Sequence, residues 1–388
     1  MQTGTELPAA MGSSARSDLQ PRPIEKPADR WLWRTRRAKT GGQPGGPLVY
    51  CREEGGRRPS YLRVMERLFG ARRAGLREIL LSRSPVLFLM VEEAFLLYVV
   101  VGLLRALFGR RTVGLLARPM PLALSPRRAC RWRRAVLSQL KRIRAIHTLT
   151  ILPFSVLPAF STIATGWIYD FQFWDLTDAE REAVELLRAE RQPGERLVLT
   201  AIGTQNRLKG FDLFTDSYVR HAALRERFQF IACGKVWQTV TAYAAAFREA
   251  GGVTVDRTVS DAELLGAYAA SDAIWCHYPP AGDHSSGVLG RAAQLGIPVV
   301  VRDGSLAHRL CMAENIRHIA ATAEGLAGRL AKPLPPREEA RGRLAAYRFA
   351  QASEATLRAA LGLASAEQSV PTRGVLGEHA VTSGAPSV

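Results

Sequence analysis

The sequence has few cysteines, and none of them form pairs. Cys51, Cys130, Cys233, Cys276 and Cys311 stand singly, without a CxxC spacing, and no His/Cys cluster is spaced as metal ligands are. A structural zinc site and a disulfide framework are therefore not expected, and a reducing, cytoplasmic compartment is. The opening residues MQTGTELPAAMGSS have no basic stretch followed by an apolar core, so no secretory signal is read. No GxxxxGK[ST] occurs, and no GxGxxG opens the first βα unit, which counts against a P-loop NTPase and a dinucleotide oxidoreductase. Zinc-finger, RNP-type and helix-turn-helix patterns are also missing. Nucleic acid is therefore not an expected partner, although the net charge is +18 and calls for some anionic partner.

Unbroken membrane-length apolar runs are missing too. The stretch 85–109 is interrupted by Glu92 and Glu93, each costing about 2.5–3.5 kcal/mol at the centre of a spanning helix. The stretch 145–169 is broken by Pro153, Pro158 and Gly166, whereas a span needs ~20 predominantly apolar residues. Buried parallel strands followed by loops account for both more simply.

What is present is a βα alternation in a chain of 388 residues, 47% hydrophobic, long enough for two domains with full cores. Residues 1–45 are rich in Pro, Gly, Ser and Arg and read as a disordered tail, as do 364–388. Over 46–165, strands are expected at 47–51, 85–91, 111–117 and 145–152. Helices are expected at 60–69, at 94–108 as a buried helix, and at 126–144. Over 166–335, strands are expected at 196–203, 228–234, 253–256, 272–278 and through the valines up to Val301. Helices are expected at 178–191, 211–224 and 237–250. One more begins at Ser260, where Glu263 completes a capping box, and another at Ser285-Ser286-Gly287. Helices fill 336–363. Strands that cross over through helices imply parallel sheets, hence an α/β class with two Rossmann-like domains.

Ligands of open parallel sheets bind outside the carboxyl ends of the strands. In the second half those ends carry Gly203, with Arg207, Lys209 and Gly210 beyond it; then Gly234; then Asp283, His284, Ser285, Ser286 and Gly287. A helix that starts on Ser-Ser-Gly offers unpaired N–H groups and the positive end of its dipole to an anion. Lys209 can add a point charge, and Asp283 suits sugar hydroxyls. Together they describe a site for a nucleotide-diphosphate sugar.

The segments LTAIGTQNRLKGFDLFTDSY, FQFIACG, VSDAELLGAYAASDAIWCHYPP and DHSSGVLGRAAQLGIPVVV resemble the retaining glycosyltransferases of family 4, the "group 1" transferases, which have the GT-B fold of two Rossmann-like domains facing across a cleft. The resemblance covers about residues 165–335, and the first half by architecture. It implies a metal-independent transfer of a sugar from a nucleotide-sugar donor, with no other cofactor, to a glycan or lipid-linked acceptor. It places Lys209 as the diphosphate-binding lysine and Asp283 as the first acid of a divergent E-x7-E element, the two residues taken as catalytic. Ser285, Ser286 and Gly287 fall on the diphosphate-contacting backbone. Arg291 stands where the family has its second, ribose-facing acid. Thr204 stands where the family has an arginine, for which Arg207 can substitute. Gly55 and Gly56 match the first glycine loop, and Glu92, Glu93 and Arg118 are the acceptor-side candidates.

A catalytically inactive, transferase-like binding or scaffold protein of polysaccharide assembly is the other reading, favoured by Arg291 and Thr204. The basic stretch 126–144, with Trp132 among its arginines, is expected either to lie on an anionic membrane surface or to form a solvated outer face.

Overall fold

The computed structural model describes residues 46–52, 58–191, 194 and 196–363. The two tails and the Gly55-Gly56 pair lie outside the described residues. The first sheet comprises β1 (Leu48–Tyr50), β2 (Arg72–Arg73), β3 (Val86–Phe88), β4 (Thr112–Leu116), β5 (Ile146–Thr150) and β6 (Gly166–Trp167). All neighbours are parallel, in the order β2-β1-β3-β4-β5-β6. Around it lie α1 (Arg58–Phe69), α2 (Leu76–Leu81), α3 (Phe95–Ala106), α4 (Pro119–Leu124) and α5 (Arg128–Leu140). Every residue of β3 and β4 is buried, as expected of a sheet covered on both faces.

Two expectations change here. The strand predicted over 85–91 stops at Phe88. The chain then turns at Met90, a non-glycine residue with φ 54°, into a 3-10 turn over Val91–Glu93. Such a backbone costs of order 1–3 kcal/mol, and here it sets Glu92 and Glu93 at the strand end. The helix predicted as buried is buried on one side only. Phe95, Tyr98, Val101, Gly102 and Arg105 face the sheet, while Leu96, Val100, Leu103 and Leu104 are exposed. A helix packs one face on a sheet, and among the described residues no further layer covers the other.

Buried Arg105 fastens this layer. Its guanidinium donates to the carbonyls of Ile79 (2.5 Å), Ser82 (2.9 Å), Ser84 (2.6 Å) and Arg111 (3.2 Å) and to the Thr112 hydroxyl (3.2 Å). Burial pulls its pKa down to about 10.

The second sheet comprises β7 (Leu197–Ile202), β8 (Phe228–Cys233), β9 (Val253–Val255), β10 (Ala273–Cys276), β11 (Val299–Arg302) and β12 (His318–Ala321). It too is parallel throughout, in the order β12-β11-β10-β7-β8-β9. Its helices are α6 (Asp178–Ala189), α7 (Phe211–Arg220), α8 (Ala222–Arg227), α9 (Thr241–Glu249), α10 (Asp261–Ala270), α11 (Gly287–Gln294), α12 (Leu306–Ala313) and α13 (Leu326–Leu330). The expected capping box forms at Ser260/Glu263, and a second forms at Thr177/Glu180. The helix predicted over 211–224 is two helices, broken at extended His221. Arg225 turns back to donate to the freed carbonyls of Tyr218 (2.9 Å) and Val219 (2.6 Å).

The segment 167–178 joins the sheets, and α14 (Glu339–Leu361) returns along both. Near its start, Gly342 lies against the backbone of Gln294 and Gly296. Near its end, Arg111 donates to the Ala359 carbonyl at 2.8 Å. Between them Phe349 packs on Tyr169 and Phe173, with centroids 4.2 and 5.6 Å away.

Candidate functional site

Three loops of the second sheet meet backbone to backbone. A Cβ on Gly234 (φ 133°) would lie 2.3 Å from the Gly203 carbonyl oxygen, one on Gly210 (φ 65°) 2.3 Å from that of His277, and one on Gly282 1.9 Å from that of Leu208. No side chain can stand at these contacts, so the loops after β7, β8 and β10 form one floor. Gly203 (φ 91°) differs: nothing lies within 4 Å of its would-be Cβ, so its open side is available to a ligand.

Lys209 ends the 3-10 turn Arg207–Lys209, which Asn206 caps by accepting from the Lys209 N–H at 3.0 Å. The Trp275 indole donates to the Lys209 carbonyl at 3.1 Å. The ammonium rests 4.3 Å from the ring centre of Tyr278. The Tyr278 hydroxyl is 3.0 Å from the Ser286 hydroxyl, and that hydroxyl caps α11 by accepting from the Leu289 N–H at 3.4 Å. Lys209 is thus brought, through Tyr278, to the start of α11. Exposed Arg207 instead lies over Tyr243 of α9, 5.8 Å from its centre.

Asp283 sits at the start of the neighbouring α12. Its carboxylate accepts from the Leu306 N–H at 3.0 and 3.2 Å and from Arg302 at 2.7 Å. Burial raises its pKa, and the Leu306 amide and Arg302 act against that rise. His284 Nδ1 lies 3.0 Å from the Ser285 carbonyl oxygen.

The remaining residues of the opening turn face inward. The Ser285 hydroxyl donates to Asp170 at 2.8 Å. A Cβ on Gly287 would fall 1.4 Å from Gln172 Oε1, and one on Gly290 2.6 Å from the Gln172 carbonyl oxygen, so these glycines seat α11 on the turn Phe171–Phe173. Arg291 is buried beneath this layer and pairs with Asp175 at 3.1 Å. Burial opposes its charge, but Asp175, with Tyr268 and Asp261, outweighs burial and holds the guanidinium above its ordinary value. Asp175 also accepts from Ser60 (2.7 Å) and Gln294 (3.0 Å), and Asp170 from Tyr61 (2.7 Å). What the start of α11 offers an anion is therefore its backbone and dipole, with both serine hydroxyls engaged inside the protein.

At the end of β3, Glu92 accepts from the Arg118 N–H, which lies beyond the end of β4. Its Oε2 is shielded from water and has no partner among the described residues, and burial raises its pKa. Glu93 pairs with Arg58 at 2.5 Å. These acceptor-side candidates share one strand edge, apart from Gly55 and Gly56, which the described residues do not include. Among the described residues no three His, Cys, Asp or Glu side chains are placed to share a metal ion.

Sequence reading missed Tyr278, Asp170, Gln172 and Asp175. Tyr278 closes the predicted strand 272–278, directly before the Pro-Pro turn, and that adjacency was its only signal. The others sit in the joining segment, which carries no motif.

No known protein family's sequence profile matches the chain, and no curated protein matches it. Solved structures do. HepE of Anabaena, crystallised with UDP, superposes with a TM-score of 0.55 at 11% identity, over 82% of this chain and 100% of that one. The same protein with UDP and glucose gives 0.53 at 12% identity, over 81% and 98%. The UDP-forming α,α-trehalose-phosphate synthase of Burkholderia vietnamiensis gives 0.51 at 13% identity, over 82% and 99%. Two six-stranded parallel sheets in this likeness establish the expected fold: the chain has the GT-B fold.

Proposed function

We propose that the protein is a glycosyltransferase that moves a sugar from a nucleotide-diphosphate sugar to a glycan or lipid-linked acceptor. In this reading it needs no metal and retains anomeric configuration. The observation that carries it is the meeting of Lys209, Tyr278 and the start of α11 on one strand edge of a GT-B fold. Charge that grows on a departing diphosphate would meet the α11 amides and the Lys209 ammonium, the arrangement that lowers such a barrier. The fold neighbours crystallised with UDP, and with UDP and glucose, support a nucleotide-sugar donor.

Asp283 is the sugar-side group of this site, held in place by Arg302 and the Leu306 amide. The stretch from Asp283 to Val301 is read as a divergent E-x7-E element in which Arg291 has left the ribose-facing role for an ion pair with Asp175. Ribose then falls to residues around the open side of Gly203, where Thr204 and Arg207 are exposed.

A panel of UDP- and other nucleotide-sugars in a thermal-shift assay tests the site. A selective donor at a hundredfold its Kd adds about 2.7 kcal/mol of stability, and Lys209→Ala should remove that shift. No response to any donor would overturn the proposal. The inactive-scaffold reading is favoured by buried Arg291; it predicts donor binding without release of nucleoside diphosphate in the presence of any acceptor.

A further inference from the structure

The exposed face of α3 continues into a larger apolar surface. Leu96, Val100, Leu103, Leu104 and Leu107 recur at helical spacing on the side away from the sheet, and Phe108 follows; Leu107 is 80% and Phe108 72% exposed. Each β→β step from β3 to β5 crosses in the same direction, and right-handed crossovers place α3 and α5 on one face. Accordingly Trp132 of α5, itself half exposed, packs edge-on against Phe95 of α3 at 5.6 Å. Leu81, 67% exposed, ends α2 beside them, where Arg110 reaches over to donate to its carbonyl at 3.1 Å.

This surface is rimmed by arginine. The stretch 126–144 contains Arg127, Arg128, Arg131, Arg133, Arg134, Lys141, Arg142 and Arg144 and no acid. Arg133 lies over the Phe95 ring and Arg110 over the Phe108 ring, each 5.2 Å from the ring centre. A monomer rarely leaves so contiguous an apolar patch uncovered without a partner.

We infer that α3, the end of α2 and α5 form a membrane-docking face for an anionic lipid bilayer. The aliphatic row of α3 enters the headgroup–acyl boundary, Trp132 and Phe108 sit at the interface, and the arginines meet lipid phosphates. At 12 residues, α3 is far short of the ~20 a spanning helix needs, so it lies in the plane of the surface. A second copy of this chain fits poorly. Arginines flank the patch on the α5 side and at Arg110-Arg111, so a self-complementary pairing would set like charges against each other. The inference does not depend on whether the site turns over sugar.

Sedimentation of the full chain with vesicles tests it, using phosphatidylcholine alone or mixed with phosphatidylglycerol. The protein should pellet with the anionic vesicles. Arg128→Ala with Arg131→Ala should weaken binding by about fivefold per arginine and flatten its salt dependence. Leu103→Ser, Leu107→Ser and Phe108→Ser together, all at exposed positions, should release the protein while leaving its melting temperature unchanged. No binding to anionic vesicles at low salt would overturn the inference, as would a triple variant that binds like the parent. A dimer in sedimentation velocity that the triple variant abolishes would assign the face to a second copy instead.

Discussion

Arg291 illustrates what a residue alone can and cannot disclose. Its sequence position marks it as an arginine where an acid is expected, but its partner lies 116 residues away in the joining segment. The burial of both partners decides its role. Removing one member of a buried ion pair strands the other, at about 3–5 kcal/mol. Arg291→Met should therefore lower stability in chemical denaturation by that amount and leave the Kd of any nucleotide-sugar unchanged. A weakened Kd in a stable variant would return Arg291 to the donor site. Glu92 shows the opposite case, a residue whose charge the fold tolerates poorly. Its pKa is raised by burial above the ordinary 4.5, so the folded state binds the proton more tightly than the unfolded one. Folding stability then falls as pH rises from about that ordinary value through the raised one. Glu92→Gln should be more stable than the parent at neutral pH, with the difference closing in acid; melting curves across pH would show it. If Glu92 also serves an acceptor, the same variant gains stability and loses acceptor-dependent turnover, a familiar opposition at functional sites.

Among the elements, α11 is the one the proposed site rests on most, and its glycines can be ranked. At Gly290 an added methyl would meet the Gln172 backbone oxygen, which cannot move; at Gly287 it would meet the end of the Gln172 side chain, which can. Gly290→Ala should cost about 1–3 kcal/mol. Gly287→Ala should cost less, and Gln172→Ala should rescue it; equal losses in denaturant titrations would contradict this. The start of α11, its capping serine and the capping box of α10 were all legible, because Ser/Thr and Glu at fixed offsets satisfy orphan amides by local chemistry alone. The purpose of Gly287 was not legible, since close approach by a phosphate and close approach by a neighbouring turn both require a missing Cβ. Besides β12, which was also not expected, two strands went unseen for a different reason. Arg72–Arg73 and Gly166–Trp167 are two residues each, too short for any periodicity and fixed only by their neighbours in the sheet. The exposed side of α3 was unreadable because a helix apolar all round signals burial whether or not anything is present to cover it.

For the whole molecule, the joining segment matters most. Asp170 takes a hydrogen bond from Tyr61 of α1 and another from Ser285 before α11; Asp175 takes one from Ser60 of α1 and others from Arg291 and Gln294. Each carboxylate therefore ties the layer of the first sheet to that of the second, while Phe349 of α14 adds an aromatic tie. Removing both α1 hydroxyls by Ser60→Ala with Tyr61→Phe should cost about 1–3 kcal/mol apiece and leave one calorimetric transition. Phe349→Ala should cost about 3–5 kcal/mol and split unfolding into two steps; a single sharp transition in that variant would count against α14 as the coupling element.

The floor built by Gly203, Gly210, Gly234 and Gly282 has a consequence for redesign. With carbonyl oxygens seated where side chains would be, the loop after β7 should not tolerate lengthening, shortening or transplantation without displacing those after β8 and β10, each of which rests on it. If the proposed donor site is correct, new donor preferences are expected to come from swapping single exposed side chains such as Thr204 and Arg207, over a scaffold whose loop lengths stay fixed.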